Sequence, residues 1–141
     1  MFCRAGHPLT KLEVPRFEDL LQYPWVGPSL PERIGAFLPA EPLPFGIKDP
    51  ATGKVIPRIR VGTFSAIKSI VLAGDAISGA AAHMIKDELA SGRLVYLPID
   101  LPWIEISYGF IWRRGRTLSP AAQAFVKIAR GIETKTGQEK A

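Results

Sequence analysis

The 141-residue chain contains no asparagine, a single cysteine and only two histidines. Without asparagine there is no N-glycosylation acceptor. Cys3 alone cannot close an internal disulfide, which excludes the oxidised scaffold of a small secreted domain and fits a reducing, cytoplasmic compartment; the thiol itself reads as incidental. His7 and His83 are too few for a histidine-rich metal site, and one cysteine does not complete one. Long apolar runs are missing as well. The nearest, Phe64 to Ile85, is broken by Lys68, Asp75 and His83 and by Gly74 and Gly79, unlike the roughly 20 apolar residues of a membrane span. No membrane partner is expected. Residues Met1 to Ala5 lack the apolar core and small-residue cleavage site of an export signal. Like charges never run to five, so the net charge of +5, from 18 basic and 13 acidic residues, favours anionic partners without forming a nucleic-acid signature.

The local signatures of catalysis are missing too. There is no G-x-S-x-G elbow, no G-x-G-x-x-G and no complete Walker loop. Thr52-Gly53-Lys54-Val55 lacks both the upstream glycine and the following hydroxyl of such a loop and reads as a turn. Asp87 and Glu88 are adjacent on a helix, where neighbouring side chains point about 100 degrees apart, so they do not form a facing acid–base pair and read as a solvated face. His83 reads as a solvated or capping residue. With no nucleophile, base and orienter set, the chain is not expected to be an enzyme, and no cofactor is expected.

What is present is a foldable composition: 47% hydrophobic and 22% charged residues with 9% aromatics, in a length that suits one domain or two small lobes. Thirteen prolines and 13 glycines cut the chain into the short segments of an α/β architecture. Phe17 to Gln22 reads as a short helix and Tyr23 to Val26 as an apolar strand. Ser29 and Glu32 have capping-box spacing for a following helix, with Pro31 in its first turn. Pro39 to Pro57 should be a loop with fragments of strand. Ile59 and Val61 alternate with Arg58 and Arg60 as in a half-exposed strand, and after Gly62 the period switches to helix, with Thr63 or Ser65 as cap. Ala76 to Ala80 suits a buried strand, Met84 to Ala90 a helix stopped by Gly92, and Leu94 to Leu97 an extended segment. Ile104 to Trp112 alternates as a strand, Arg113 to Arg116 makes a basic turn, and Ser119-Pro120 opens a last helix with Ala122, Phe125, Val126, Ala129 and Ile132 on one face. Glu133 to Ala141 reads as a frayed tail. The arginine turn suits a solvated turn or a subunit contact better than nucleic acid.

In open α/β sheets, ligands lie beyond the carboxyl ends of strands, where helix N-termini offer free N–H groups. Two segments fit: Gly27, Pro28 and Ser29 after one strand, and Gly62, Thr63, Phe64 and Ser65 after another. Both carry hydroxyls able to bond a carboxylate, and simple N-capping is the competing explanation of Ser29 and Ser65.

The order Gly6-His7-Pro8-Leu9, Phe17 to Leu21, Tyr23-Pro24-Trp25-Val26, Ile70 to Ile77 and Glu88 to Val95 resembles the effector-binding domain of LysR-type transcriptional regulators. Tyr108-Gly109-Phe110, Arg113-Arg114-Gly115-Arg116 and Leu118 to Phe125 look like that family's last strand and helix. The resemblance covers about residues 5 to 133; Ala81 departs from it, standing where the family often has a proline. It implies a type 2 periplasmic-binding-protein-like fold with a mostly parallel sheet, in which residues 23–113 form the second effector-binding lobe. Residues 1–22 and 114–141 would then be the parts of a first lobe that is otherwise missing. It also implies a small organic effector; by the strand-end chemistry above this would be a carboxylate held by Gly27, Pro28, Ser29, Thr63, Phe64 and Ser65, with Ile77 as apolar neighbour. DNA would be read only through a winged helix-turn-helix to which nothing here corresponds. Stripped of part of its cover, the last helix should drive a homodimer or higher oligomer. The alternative reading is a type 2 solute-binding protein of a transport system, which needs an export signal; a small enzyme is the third.

Overall fold

The computed structural model describes residues 1–99, 101 and 109–138. It divides into two units, Met1–Glu105 and Ile106–Ala141.

In the first unit, strand alternation builds the core. Neighbouring residues on a strand point to opposite faces, and here they enter opposite apolar clusters. Phe2 and Cys3 of β1 (Phe2–Arg4) part in this way, as do Trp25 and Val26 at β2 (Val26–Gly27) and Ala76 and Ile77 further on. One cluster gathers Trp25, Phe45, Leu20, Leu21, Ile34 and Val55, and the other Phe2, Val26, Ile67, Val71, Ile85 and Leu94. The strands between them are therefore covered on both faces, the layer arrangement that an α/β chain needs.

The described ladders are mixed rather than mostly parallel. The strand β2 pairs in parallel with β5 (Ile59–Arg60), whereas β1 pairs antiparallel with β6 (Leu94–Tyr96). A separate antiparallel hairpin joins β3 (Gly46–Lys48) to β4 (Val55–Pro57) within the proline-rich stretch. Single bridges link Trp25 to Ile77 in parallel and Phe2 to Ser78 antiparallel, so the expected strand over Ala76 to Ala80 narrows to two residues. Ser78, itself buried, fastens this centre by donating from Oγ to the Val26 carbonyl at 2.8 Å. The chain start is tied down by His7, whose Nδ1 accepts from Leu9 N–H at 3.1 Å while Nε2 lies 3.2 Å from the Asp75 carbonyl.

Helices α1 (Phe17–Leu20), α2 (Glu32–Gly35), α3 (Phe64–Ala73) and α4 (Lys86–Ala90) follow the expected segments, α4 being entered through a 3-10 turn at Ala82–Ile85. Gly92 ends α4 at φ +67°, the left-handed stop expected of it. Two local expectations fail. Ser29 does not cap α2: Leu30 exchanges both backbone hydrogen bonds with Val55, at 2.9 and 3.0 Å, which holds the chain extended until Pro31 takes the N-cap position. Glu88 is not on a solvated face; it is 8% exposed, because Lys68 of α3 reaches it with Nζ 2.7 Å from Oε1. Lys68 holds the Glu88 carboxyl below its ordinary pKa, against a smaller opposing effect of burial.

The second unit centres on α5 (Pro120–Gln138). Ser119 opens it, with Oγ accepting from Ala122 N–H at 3.2 Å, and Pro120 takes the first helical position. Arg113 to Arg116 turns as expected, through Gly115 at φ +76° and an Arg116 N–H to Arg113 carbonyl bond of 3.2 Å. The tail does not fray at Ile132 but stays helical to Gln138; none of Glu133 to Thr136 is a glycine or proline, and each added residue gains a bond at little cost once the helix exists. Phe110 packs edge-on against Phe125, ring centres 6.0 Å apart. Of the strand expected over residues 104–112, positions 104–108 lie outside the described residues, and 109–112 form no regular element.

Candidate functional site

The register of β2 with β5 sets Gly27 beside Arg60 in parallel, so the two strands stop at one edge of the sheet. From that edge β2 continues as Pro28-Ser29 and β5 as Val61 to Thr63, which leads into α3. The two sequence-predicted segments thus leave neighbouring strands at the same end. Gly27 is buried, and Pro28, Ser29, Thr63 and Ser65 are exposed.

Thr63 stands at the N-cap of α3 with extended backbone, and its carbonyl accepts from Ile67 N–H at 3.2 Å. Its hydroxyl makes no cap bond to the helix. The Ser65 hydroxyl lies 3.5 Å from it, at the outer limit of a hydrogen bond. Since α2 is capped at Pro31, Ser29 is not used as a cap either. All three hydroxyls stand at this end of the sheet without a capping bond, and α3 adds first-turn N–H groups that carry no intrahelical partner.

Phe64 and Ile77 are placed differently. The Phe64 ring is half-buried on the second apolar cluster, edge-on to Phe2 at 6.5 Å, with Lys68 Nζ 5.9 Å from its centre. Ile77 is wholly buried beside β2, bonded through its N–H to the Pro24 carbonyl at 2.9 Å and through its carbonyl to Val26 N–H at 3.0 Å.

Trp25, a residue that the sequence reading passed over, stands two residues before this end of β2, its ring in the first apolar cluster while Phe64 packs on the second. Trp25 is 5% exposed, and its indole Nε1 is buried with no hydrogen-bond partner among the described residues. Gly27, two residues on and hence on the same face of the strand, leaves the indole room: a Cβ built there would meet Nε1 at 3.2 Å. The tryptophan-x-glycine spacing on a strand was the available signal.

Among the described residues no group of three or more His, Cys, Asp or Glu could hold a metal ion, and no helix is long and apolar enough to cross a membrane. The buried thiol of Cys3 is pushed up to about 11, chiefly by burial, which makes it a poor nucleophile.

Residues 1–132 match the family model described as LysR substrate binding domain. The "SDS degradation transcriptional activation protein" of Pseudomonas sp. (strain ATCC 19151) is 33% identical over 131 residues, covering 88% of this chain and 39% of the relative. The "HTH-type transcriptional regulator GalR" of Pseudomonas putida is 27% identical over 135 residues, covering 96% of this chain and 32% of the relative. The chain thus spans under two-fifths of either relative's length. No solved structure matches it significantly.

Proposed function

The chain belongs to the LysR substrate binding domain family, and from that premise we propose that it is the effector-binding module of a bacterial transcriptional regulator, taking a small organic acid. The observation that carries the site is the parallel β2–β5 register, which brings Gly27, Pro28 and Ser29 to the same sheet edge as Thr63, Phe64 and Ser65. First-turn N–H groups of α3 and the Thr63 and Ser65 hydroxyls hold the acid group, Phe64 flanks its apolar part through the edge not committed to the core, and Ile77 backs the floor. Binding biases two arrangements of the regulator, and a DNA-reading part reports the change; one relative is by name of the helix-turn-helix type.

In this reading the fold is of the type 2 periplasmic-binding-protein class, residues 23–113 belong to the second effector-binding lobe, and 1–22 and 114–141 to the first. The protein works in the cytoplasm, catalyses no reaction, and associates with itself through the apolar face of α5. A transport solute-binding role has less support, since both relatives are named for transcription.

Isothermal titration of the purified chain with monocarboxylic acids, and with an alkyl sulfate suggested by the relative named for SDS degradation, tests the site. Thr63→Val keeps the shape and removes the hydroxyl, and should weaken binding of any acid that binds by about five- to tenfold, the worth of one hydrogen bond. Unchanged affinity removes Thr63 from the site, and a complete lack of binding across the panel contradicts the reading.

A further inference from the structure

A buried N–H without a partner is uncommon in folded proteins, because it gives up its bond to water and gains nothing in return. Trp25 Nε1 is in that position. The cost is not forced by the backbone: Trp25 is at home in its cluster, its ring 5.5 Å from that of Phe45 and its own backbone bonded on both sides, N–H to the Phe45 carbonyl at 3.2 Å and carbonyl to the Ile59 N–H at 3.1 Å. A phenylalanine would fill an apolar cluster without bringing a donor.

The nitrogen also has a definite neighbourhood. The missing side chain of Gly27 would point at it, with Cβ 3.2 Å away. Any other residue at 27 would close this flank, and would also be strained by the backbone there, at φ +152°. Gly27 is the last residue of β2, at the sheet edge to which the parallel register brings Arg60. An orphan donor and a side-chain-free flank beside it thus lie within three residues of one strand, at the end from which Ser29 follows on the same segment and Thr63 and Ser65 on the neighbouring one.

We propose that Trp25 is a ligand-binding residue, its indole N–H donating past the bare flank of Gly27 to an acceptor oxygen of the effector. The inference rests on the site reading above and deepens it: the effector carries an oxyanion or carbonyl oxygen deep enough to reach β2, in addition to the group held at α3. Burial makes the bond count, since a donor already removed from water costs nothing further to desolvate when a ligand oxygen arrives.

Nuclear magnetic resonance of the 15N-labelled intact chain, titrated with benzoate and with decanoate, tests this without any substitution. In the free protein the Trp25 indole proton, assigned by its loss in Trp25→Phe, should resonate upfield of that of the exposed Trp112 and exchange slowly. On addition of a bound acid it should move downfield together with the Thr63 and Ser65 amides. Trp25→Phe should then weaken that acid about tenfold. If the Thr63 and Ser65 amides move while the Trp25 indole does not, this inference is overturned and the site reading stands. If neither acid moves either set, the site reading fails and the role of Trp25 fails with it. Should Trp25→Phe not fold, the wild-type titration still decides, with the indole assigned by through-bond correlation to its own ring.

Discussion

The two units of this chain make opposite use of similar material. Residues 1–105 carry 11 basic and 11 acidic side chains, whereas residues 106–141 carry seven basic and two acidic, so the whole net charge of +5 lies in the second unit. Both contain an amphipathic helix. On α3 the apolar face is spent on the core, with Ile67 and Val71 buried. On α5, Phe125, Ile128 and Ile132 are all more than 60% exposed. Periodicity states that a helix has an apolar face; it does not state what covers it. A covered face is a stability element, and a largely exposed one beside Lys127 is, on the reading proposed above, an association surface.

The sharpest way to break the comparison is to truncate matched aromatics. Phe2→Ala opens a fully buried site and should cost about 3–5 kcal/mol, whereas Phe125→Ala, which loses an edge-on contact with Phe110, should cost no more than about 1.5 kcal/mol. Urea unfolding followed by circular dichroism measures both. Equal losses would mean that Phe125 is core.

Association should respond in the opposite sense. Phe125→Glu or Ile128→Glu, changing residues that are 63% exposed, should shift the chain from oligomer to monomer in light scattering, with the unfolding midpoint nearly unmoved. Phe2→Ala should not change the oligomer at concentrations where it is folded.

Acid should act on the first unit in two steps. Burial lowers the pKa of His7, whose Nδ1 accepts from Leu9. The unfolded state therefore takes up that proton first, and stability present above the ordinary value of 6.5 is lost as the pH falls below it. Glu88 is held below 4.5 by its bond to Lys68, so its contribution is present above that value and is lost on further acidification through the lowered one. Urea midpoints between about pH 7.5 and pH 3.5 should show both falls, and His7→Gln should remove the first.

The smallest effect concerns Cys3. With its thiol raised to about 11 by burial, it should react with a disulfide reagent at neutral pH only after unfolding; fast labelling of native protein would show that the first unit opens.

Much of this organisation was legible because its signals are local. Proline and glycine marked the breaks, Gly92 and Gly115 stop and turn the chain as left-handed positions must, and the periods of α3 and α5 gave their faces. The two local failures in the first unit share one cause: a partner distant in sequence overrode a local preference. Leu30 pairs with Val55 and displaces the cap expected at Ser29; Lys68 reaches across 20 residues to draw in Glu88. The candidate site divides in the same way. Thr63 and Ser65 were visible as hydroxyls at a strand-to-helix junction, whereas the meeting of Gly27 with Arg60 needed the parallel register, and the unpartnered nitrogen of Trp25 is visible only once the cluster around it has formed.

Native mass spectrometry of the intact chain tests the central claim most directly, because one spectrum reports both oligomeric state and bound mass. The account predicts a dimer or higher oligomer that retains an organic acid or gains the mass of one from a panel. A bare monomer that gains nothing from any acid offered would contradict it.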